Sequence, residues 1–336
     1  MPEDIFGRTS GYVHTAEIAV HWREGIDVEV KRSDRKRITK WNPGQNGGRR
    51  PATMRFNPNK EKVCSPSSGN MVNRGNCRSL ADFENLLESW AISTDLQRDD
   101  VKVTRADFAL DCFAEEDAAV FRKLCDLMIA AFCVRHDIEC KHQYWGETII
   151  SMQPKNCKAV WGSFAMERYN KGLQQPSNGA IWRTELRFTK DTKHPEKEQP
   201  QTIQAMLEAL TDELCGLPAF YEEAQERLNG ALFARYTELQ TGSEDHIKIN
   251  QFLYQNNDRV FSRAQVRDFF RRLGVTDNKR RADCADNYSR RYAHLYISKA
   301  QFTLFIEWVI SEVEKWVTND PFWTQKNDGA NEVKNA

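Results

Sequence analysis

Apolar and polar positions alternate with period two through much of the first 190 residues, and the period lengthens afterwards. Strict alternation marks a half-buried strand, because successive side chains point to opposite faces; apolar residues at i, i+3, i+4 and i+7 mark a helix. Ile18, Val20 and Trp22 share one face of a strand within 12–32, and IDVEV at 26–30 reads as a second. NPGQNGGRR at 42–50 predicts a loop, TMRFNP at 53–58 a short strand, and the Ser/Pro/Gly/Asn-rich 64–77 another loop. Ser79 is placed to cap a helix in which Leu80, Phe83, Leu86, Leu87 and Trp90 recur at helical spacing. VKVTRADFALDCF at 101–113 carries the clearest strand pattern, and a helix over 115–134 follows with Val120, Leu124, Leu127 and Met128 along one stripe. YWGETIISM (144–152) and KAVWGSFAMERYN (158–170) predict a hairpin pair, and IWRTELRFT (181–189) a further strand. From 201 onward the pattern is helical, ending in AQFTLFIEWVISEVEKWV. The expectation is an α+β fold: an antiparallel sheet with flanking helices over 1–200, then an all-helical domain over 201–336.

Three of these strands carry a charged face against an apolar one. In VTRADFALD, Arg105, Asp107, Ala109 and Asp111 lie on one side and Ala106, Phe108 and Leu110 on the other. In IWRTELRFT, Arg183, Glu185 and Arg187 oppose Trp182, Leu186 and Phe188. In FAMERYNKG, Glu167, Tyr169 and Lys171 share a face, while Met166, Arg168 and Asn170 share the other. Each segment alone also suits a salt-bridged surface strand. Joined in one sheet, the three faces would gather carboxylates, cations and one tyrosine. Hard carboxylate oxygens suit Mg²⁺ or Mn²⁺, which polarise a phosphodiester. Arg or Lys neutralises the transition state, and a tyrosine hydroxyl beside a metal or cation can act as nucleophile.

Composition adjusts this picture in few places. The chain has 336 residues and a formal net charge of zero, which argues against a general basic coat for nucleic acid. Basic residues cluster nonetheless: KRSDRKRITKWNPGQNGGRR at 31–50 includes Lys36, Arg37 and Lys40, and KRRADCADNYSRR at 279–291 includes Arg280, Arg281, Arg290 and Arg291. Both are candidate DNA contacts or plain solvated surface. Nine cysteines without CxxC pairs read as reduced thiols of the cytoplasm, and Cys125 and Cys133 as core thiols. No apolar run approaches the roughly 20 residues that span a bilayer, and the N-terminus has no secretory pattern.

The order of motifs, Arg105–Asp107–Asp111, then Arg168–Tyr169–Lys171, then Arg183–Glu185–Leu186, with YWGETI at 144–149 before the tyrosine segment, resembles the replication initiation factor family, the rolling-circle initiator proteins of plasmids and filamentous phages. The resemblance covers roughly residues 50–190. It implies that Tyr169 nicks one strand of a double-stranded origin, stays joined to the 5′ phosphate, leaves a 3′-OH primer and later rejoins the strand. It implies Asp107 and Glu185, followed by Asp111, as ligands of Mg²⁺ or Mn²⁺ or as acid/base carboxylates, Lys171 and Arg183 as catalytic cations, and Arg105 and Arg168 as DNA contacts. The implied setting is a bacterial cytoplasm, with origin DNA, the nicked single strand, a host helicase and polymerase, and a second copy of the chain as partners, and no membrane. A histidine–hydrophobe–histidine motif is absent; the resemblance is to a carboxylate type.

Outside that stretch, SRAQVRDFFRRLGVTDNKRR (262–281) has the look of a helix-turn-helix, with Ser262 as cap and Gly274 at the turn, and suits equally a packed helix–loop–helix without DNA contact. Tyr288, Tyr292 and Tyr296 fall at helical spacing and read as packing or DNA-backbone contacts. His14 and His21 flank an apolar strand at a spacing that does not put them on one face, His142 and His246 stand alone, and all read as surface or satisfied histidines. The alternative to a nickase is a non-catalytic DNA-binding regulator or replication accessory protein.

Overall fold

The computed structural model describes residues 9–21, 30–33, 36–41, 52–57, 62–66, 79–93, 101–143, 148–151, 163–171, 182–189, 202–242 and 248–318. Among the described residues the strands are β1 (Thr9–His21), β2 (Val30–Ser33), β3 (Lys36–Trp41), β4 (Ala52–Asn57), β5 (Lys62–Pro66), β6 (Val101–Cys112), β7 (Cys140–Gln143), β8 (Thr148–Ser151), β9 (Ser163–Asn170) and β10 (Trp182–Thr189). They form one sheet in the order β2-β3-β4-β5-β1-β6-β10-β9-β8-β7. Every described pairing is antiparallel. The helices are α1 (Leu80–Ser93), α2 (Glu115–Arg135), α3 (Ile203–Cys215), α4 (Tyr221–Gly242), α5 (Ile249–Gln255), α6 (Arg263–Arg272), α7 (Asn278–Tyr292) and α8 (Lys299–Thr318). The fold is α+β, an antiparallel sheet with flanking helices and a helical C-terminal region, as the change of period implies. None of these helices is long and apolar enough to cross a membrane.

The alternation of β6 and β10 decides where the core lies. Val103, Ala106, Phe108, Leu110, Leu186 and Phe188 are buried against α2, whose Phe121, Leu124, Leu127, Met128 and Ile129 supply the facing surface. Cys125 and Cys133 are buried free thiols in that layer. The helices beyond 200 extend this core rather than avoid it. Ile203, Met206 and Leu210 of α3, Tyr221 and Ala224 of α4, and Phe302, Phe305, Ile306, Val309 and Trp316 of α8 belong to the same cluster as the strand residues. Gly11 on β1 lets α8 come close: an added Cβ would sit 2.8 Å from Glu312 Cβ and 2.9 Å from the Phe108 ring, and Gly11 N donates to Glu312 Oε2 at 3.3 Å.

A second, smaller core joins the end of α4 to α5, α6 and α7 through Leu232, Tyr236, Phe252, Leu253, Val266, Phe269, Phe270 and Ala285. The two cores meet at Lys123 of α2. Its ammonium, 1% exposed, donates to Val260 O at 2.8 Å and Leu295 O at 2.7 Å. Burial, with Arg122 beside it, pushes the Lys123 pKa down to about 7.

Two details differ from the pattern-based expectation, while the strand expected at IDVEV lies outside the described residues except for Val30, which opens β2. Residues 64–66, the head of the expected loop, belong to β5. β7 was not anticipated: it pairs with β8 (Cys140↔Ser151), and β8 pairs with β9, as the expected hairpin requires. CKHQ is too short and too polar for its alternation to stand out from a loop.

Candidate functional site

Antiparallel register carries the charged faces across the sheet. Ser10, Asp111, Arg183 and Tyr169 face one another in one row; Tyr12, Ala109, Glu185 and Glu167 form the next; Thr15, Asp107, Arg187 and Ala165 the third. Directly opposite residues share a face of the sheet, so the three sequence motifs converge as their alternation requires. The opposite face of the same strands holds Val13, Phe108, Leu186 and Met166 against the helices.

Most of the converging side chains are buried: Asp107, Asp111, Tyr169, Lys171, Arg183 and Glu185 all fall below a tenth of full exposure. Tyr169 donates its hydroxyl to Glu185 Oε1 at 2.9 Å. Arg183 binds Asp111 through Nε (2.6 Å) and Nη2 (2.6 Å), and the same Nη2 donates to the hydroxyl of Tyr12 at 2.6 Å. Tyr12 donates onward to Asp111 Oδ2 at 2.8 Å. Arg183 Nη1 is buried and has no hydrogen-bond partner among the described residues. Asp107 is held by Arg105 (Nε to Oδ1, 2.8 Å) and Arg187 (Nε to Oδ1, 3.2 Å), and Arg187 also donates to Glu185 Oε2 at 3.2 Å. Lys171 Nζ lies 5.6 Å from the centre of the Tyr169 ring.

The electrostatics follow from burial and from these pairs. Burial, then the Glu185 carboxylate, raises the Tyr169 pKa, while the Arg183 guanidinium beside it pulls the other way. The phenol is therefore held protonated, with its proton aimed at Glu185. Tyr12 is raised in the same manner, by burial first and by Asp111 second. Burial works against the charge of Arg183, but the hydrogen-bonded Asp111 outweighs it and keeps the guanidinium protonated. Glu167, half-buried opposite Glu185, is raised by burial and then by Glu185 and Asp107, against the pull of Arg187. A carboxyl whose proton affinity is raised by its surroundings, as that of Glu167 is, suits an acid role.

The expected Mg²⁺ or Mn²⁺ does not fit this donor arrangement. Among the described residues no group of three His, Cys, Asp or Glu side chains could hold a metal ion. Asp107, Asp111 and Glu185 turn their oxygens to Arg105, Arg187, Arg183 and Tyr169 instead of to a common point. The site is a network of arginine–carboxylate pairs, with its carboxylate oxygens committed to guanidinium and phenol donors.

Arg168 is a correction. Expected among the DNA contacts beside Tyr169, it lies on the helix side of the sheet with no exposed surface. There it pairs through Nε and Nη2 (3.2 Å) with Asp126 of α2, and its guanidinium stacks 4.7 Å from the Trp182 ring. Neighbouring residues of a regular strand point to opposite faces, and β9 stays regular through Asn170. Arg105 does lie on the charged face, one-quarter exposed and spent on Asp107. Lys36, Arg37 and Lys40 lie on β3, and their side chains are outside the described residues.

The residues missed from sequence are Tyr12, Arg187 and Glu167. Arg187 and Glu167 were on the right face, but no motif singled them out. Tyr12 was hidden by a register shift between Val13 and Thr15 that changes the phase of β1, so the alternation of Ile18 and Val20 does not extend back to it.

In the helical region α6 and α7 are joined by a turn at Gly274, whose φ is +79°. Ser262 Oγ accepts from Gln265 N at 3.2 Å and Asp277 Oδ1 from Lys279 N at 2.8 Å, capping both helices. Arg280, Arg290 and Arg291 are exposed and Arg281 half-buried. Nine Arg or Lys against four Asp over 263–292 give this pair a net charge of +5 in a chain whose total is zero. Tyr288 packs 4.7 Å from Tyr292 and donates to Leu253 O at 3.2 Å, which is a packing role.

No protein-family model matches the chain, and no curated protein matches it. Among solved structures it is similar to a rolling circle replication initiator protein from Geobacillus stearothermophilus, with a TM-score of 0.30 and 13% identity over 62% of this chain and 84% of that one. An overlap of that extent leaves the functional reading to the site itself.

Proposed function

We infer that the chain is a DNA-nicking initiator of rolling-circle replication, belonging with the replication initiation factors its motifs resemble, and that Tyr169 is its nucleophile. The observation that carries this reading is the Tyr169–Glu185 hydrogen bond beside the buried Arg183 guanidinium. Glu185 takes the phenolic proton as Tyr169 Oη attacks phosphorus. Nη1 of Arg183, which has no hydrogen-bond partner among the described residues, donates to a non-bridging phosphoryl oxygen, where negative charge grows. Glu167, its proton affinity raised, hands a proton to the leaving 3′ oxygen. The products are a 5′-phosphotyrosine and a free 3′-OH, and the reverse sequence rejoins the strand. The basic α6–α7 pair would grip the duplex origin and leave the sheet for the reacting strand. A host helicase and polymerase, a second copy of the chain, and a bacterial cytoplasm complete the proposal.

The test uses the full chain with 3′-labelled, random-sequence single-stranded oligonucleotides, in Mg²⁺, in Mn²⁺ and in chelator. A covalent protein–DNA band is expected, and Tyr169→Phe should lower it by about 10³-fold or more, as loss of a nucleophile does. A band of undiminished intensity in that variant contradicts the assignment.

A second reading, a non-catalytic DNA-binding regulator, is favoured by the burial of Tyr169 and its raised pKa. It predicts salt-dependent duplex binding with no covalent band under any of the three conditions.

A further inference from the structure

The second core ends in a row of phenols that the chemistry proposed for the sheet leaves unused. Tyr288 of α7 is the inner member: its ring packs 4.7 Å from that of Tyr292, and its hydroxyl donates to Leu253 O at 3.2 Å. Tyr292 in turn meets Tyr254 of α5 edge to face, with ring centres 5.9 Å apart. Tyr254 is 59% exposed, more than any other large apolar side chain among the described residues, although Phe252 and Leu253 just before it are buried. Cations accompany the row. Arg291 lies three residues after Tyr288 and Tyr292 lies four after it, so both sit over the same turn of α7. Arg280, Arg290 and Arg291 are exposed and take part in no ion pair among the described residues, while Asp268 is held by Arg271 and Arg272 and Asp286 by Arg263.

We propose that Tyr254 and Tyr292, with Arg291 beside them, form a stacking platform for the unpaired bases of single-stranded DNA. A phenol that already rests on a second ring is held in place, so a flat base stacked on it costs the protein little conformational freedom. A single strand presents base faces to such rings, whereas a duplex keeps them inside its own stack. The exposed arginines meet the phosphates that link those bases. Charge selects the occupant: a net +5 over 263–292 in a chain whose total is zero complements a phosphate backbone, and a second copy of this patch would meet like charge. The choice of DNA rests on the nicking function inferred above, in which cutting one strand of an origin frees a single strand. The platform is separate from the duplex grip given to α6 and α7. Phosphate contacts serve paired and unpaired DNA alike, but only unpaired bases can cover the phenol rings.

The experiment measures binding to the full chain by fluorescence anisotropy in chelator. Its ligands are dye-labelled oligothymidylate of about twenty nucleotides, oligouridylate of the same length, a strand with the same backbone and no bases, and a duplex. Wild type should bind oligothymidylate at least about 10-fold more tightly than the abasic strand. Tyr254→Ala should weaken oligothymidylate binding by about 10-fold, the loss of one base stack, and change binding of the abasic strand and the duplex by less than about twofold. Tyr254→Phe keeps the ring and should bind as wild type does. An equal loss on all ligands, no loss on oligothymidylate, or a Phe variant as weak as the Ala variant overturns the platform. Equal wild-type affinity for oligothymidylate and the abasic strand overturns it without any variant, so a chain that failed to fold would not shield the proposal. Tighter binding of oligouridylate than of oligothymidylate overturns DNA as the occupant. Anisotropy reads binding and not a covalent band, so a failure here leaves Tyr169 as nucleophile, and a missing covalent band is a separate result.

Discussion

Two ion pairs of nearly equal length behave as different objects in this molecule. Arg183–Asp111 spans 2.6 Å with side chains 1% and 3% exposed; Arg263–Asp286 spans 2.5 Å with both side chains 46% exposed. The first pair lies in the sheet, tied to Tyr12 and adjacent to Tyr169; the second joins α6 to α7 in water. Solvent screens the second pair, and a phosphate could replace its carboxylate at little cost. The buried pair cannot lose either member without stranding a charge. The sheet thus keeps fixed charges and the α6–α7 pair exchangeable ones, the division that the proposed function asks of a reacting site and a DNA grip.

Arg183→Met leaves Asp111 buried and unpaired, and should destabilise the fold by about 3–5 kcal/mol, read from denaturant midpoints at constant slope. A loss well under about 1 kcal/mol would mean that the sheet network is as exchangeable as a surface pair. Lys123, which connects the two regions, sets the pH response. Its folded pKa is lowered to about 7 from an unfolded value near 10.5. Between those values the unfolded chain binds a proton that the folded chain does not, so stability should rise as pH rises from about 7 toward about 9, above which the buried thiols of Cys112 and Cys125, raised by burial, oppose the rise; Lys123→Met should flatten it. Denaturation at pH 7, 8 and 9 measures the slope. Arg280→Ala and Arg291→Ala should each reduce the slope of log K against log salt for duplex binding by about one, with unchanged thermal stability. The smallest effect belongs to Arg263→Ala, whose melting temperature should match the wild type.

How much of this could be read from sequence depends on how local the signal is. The charged faces of β6, β9 and β10 were legible because period two is a property of each strand alone, and register then brought Asp107, Asp111, Tyr169, Arg183 and Glu185 together. Alternation also outweighed motif proximity for Arg168, which sits next to Tyr169 in sequence and on the other side of the sheet in space. Tyr12 was not legible, because a register shift in β1 breaks the phase on which such a reading depends. The pairing of each carboxylate with an arginine was equally hidden: sequence places the residues on one face but does not choose between a metal and a guanidinium as partner. The sharing of one core by β1, β6, α3 and α8 depends on contacts between residues such as Gly11 and Glu312, about three hundred positions apart, for which no local pattern exists.

Under the proposed function the covalent step falls to the sheet and the DNA grip to the α6–α7 pair, and both regions contain tyrosines. The position of the first covalent adduct separates them. Full-length protein is reacted with the labelled oligonucleotide pool, digested, and the modified peptide sequenced by mass spectrometry. A nucleotide-bearing peptide that contains Tyr169 is expected; a first adduct on Tyr288 or Tyr292 of α7, or none at all, would overturn the proposed nucleophile.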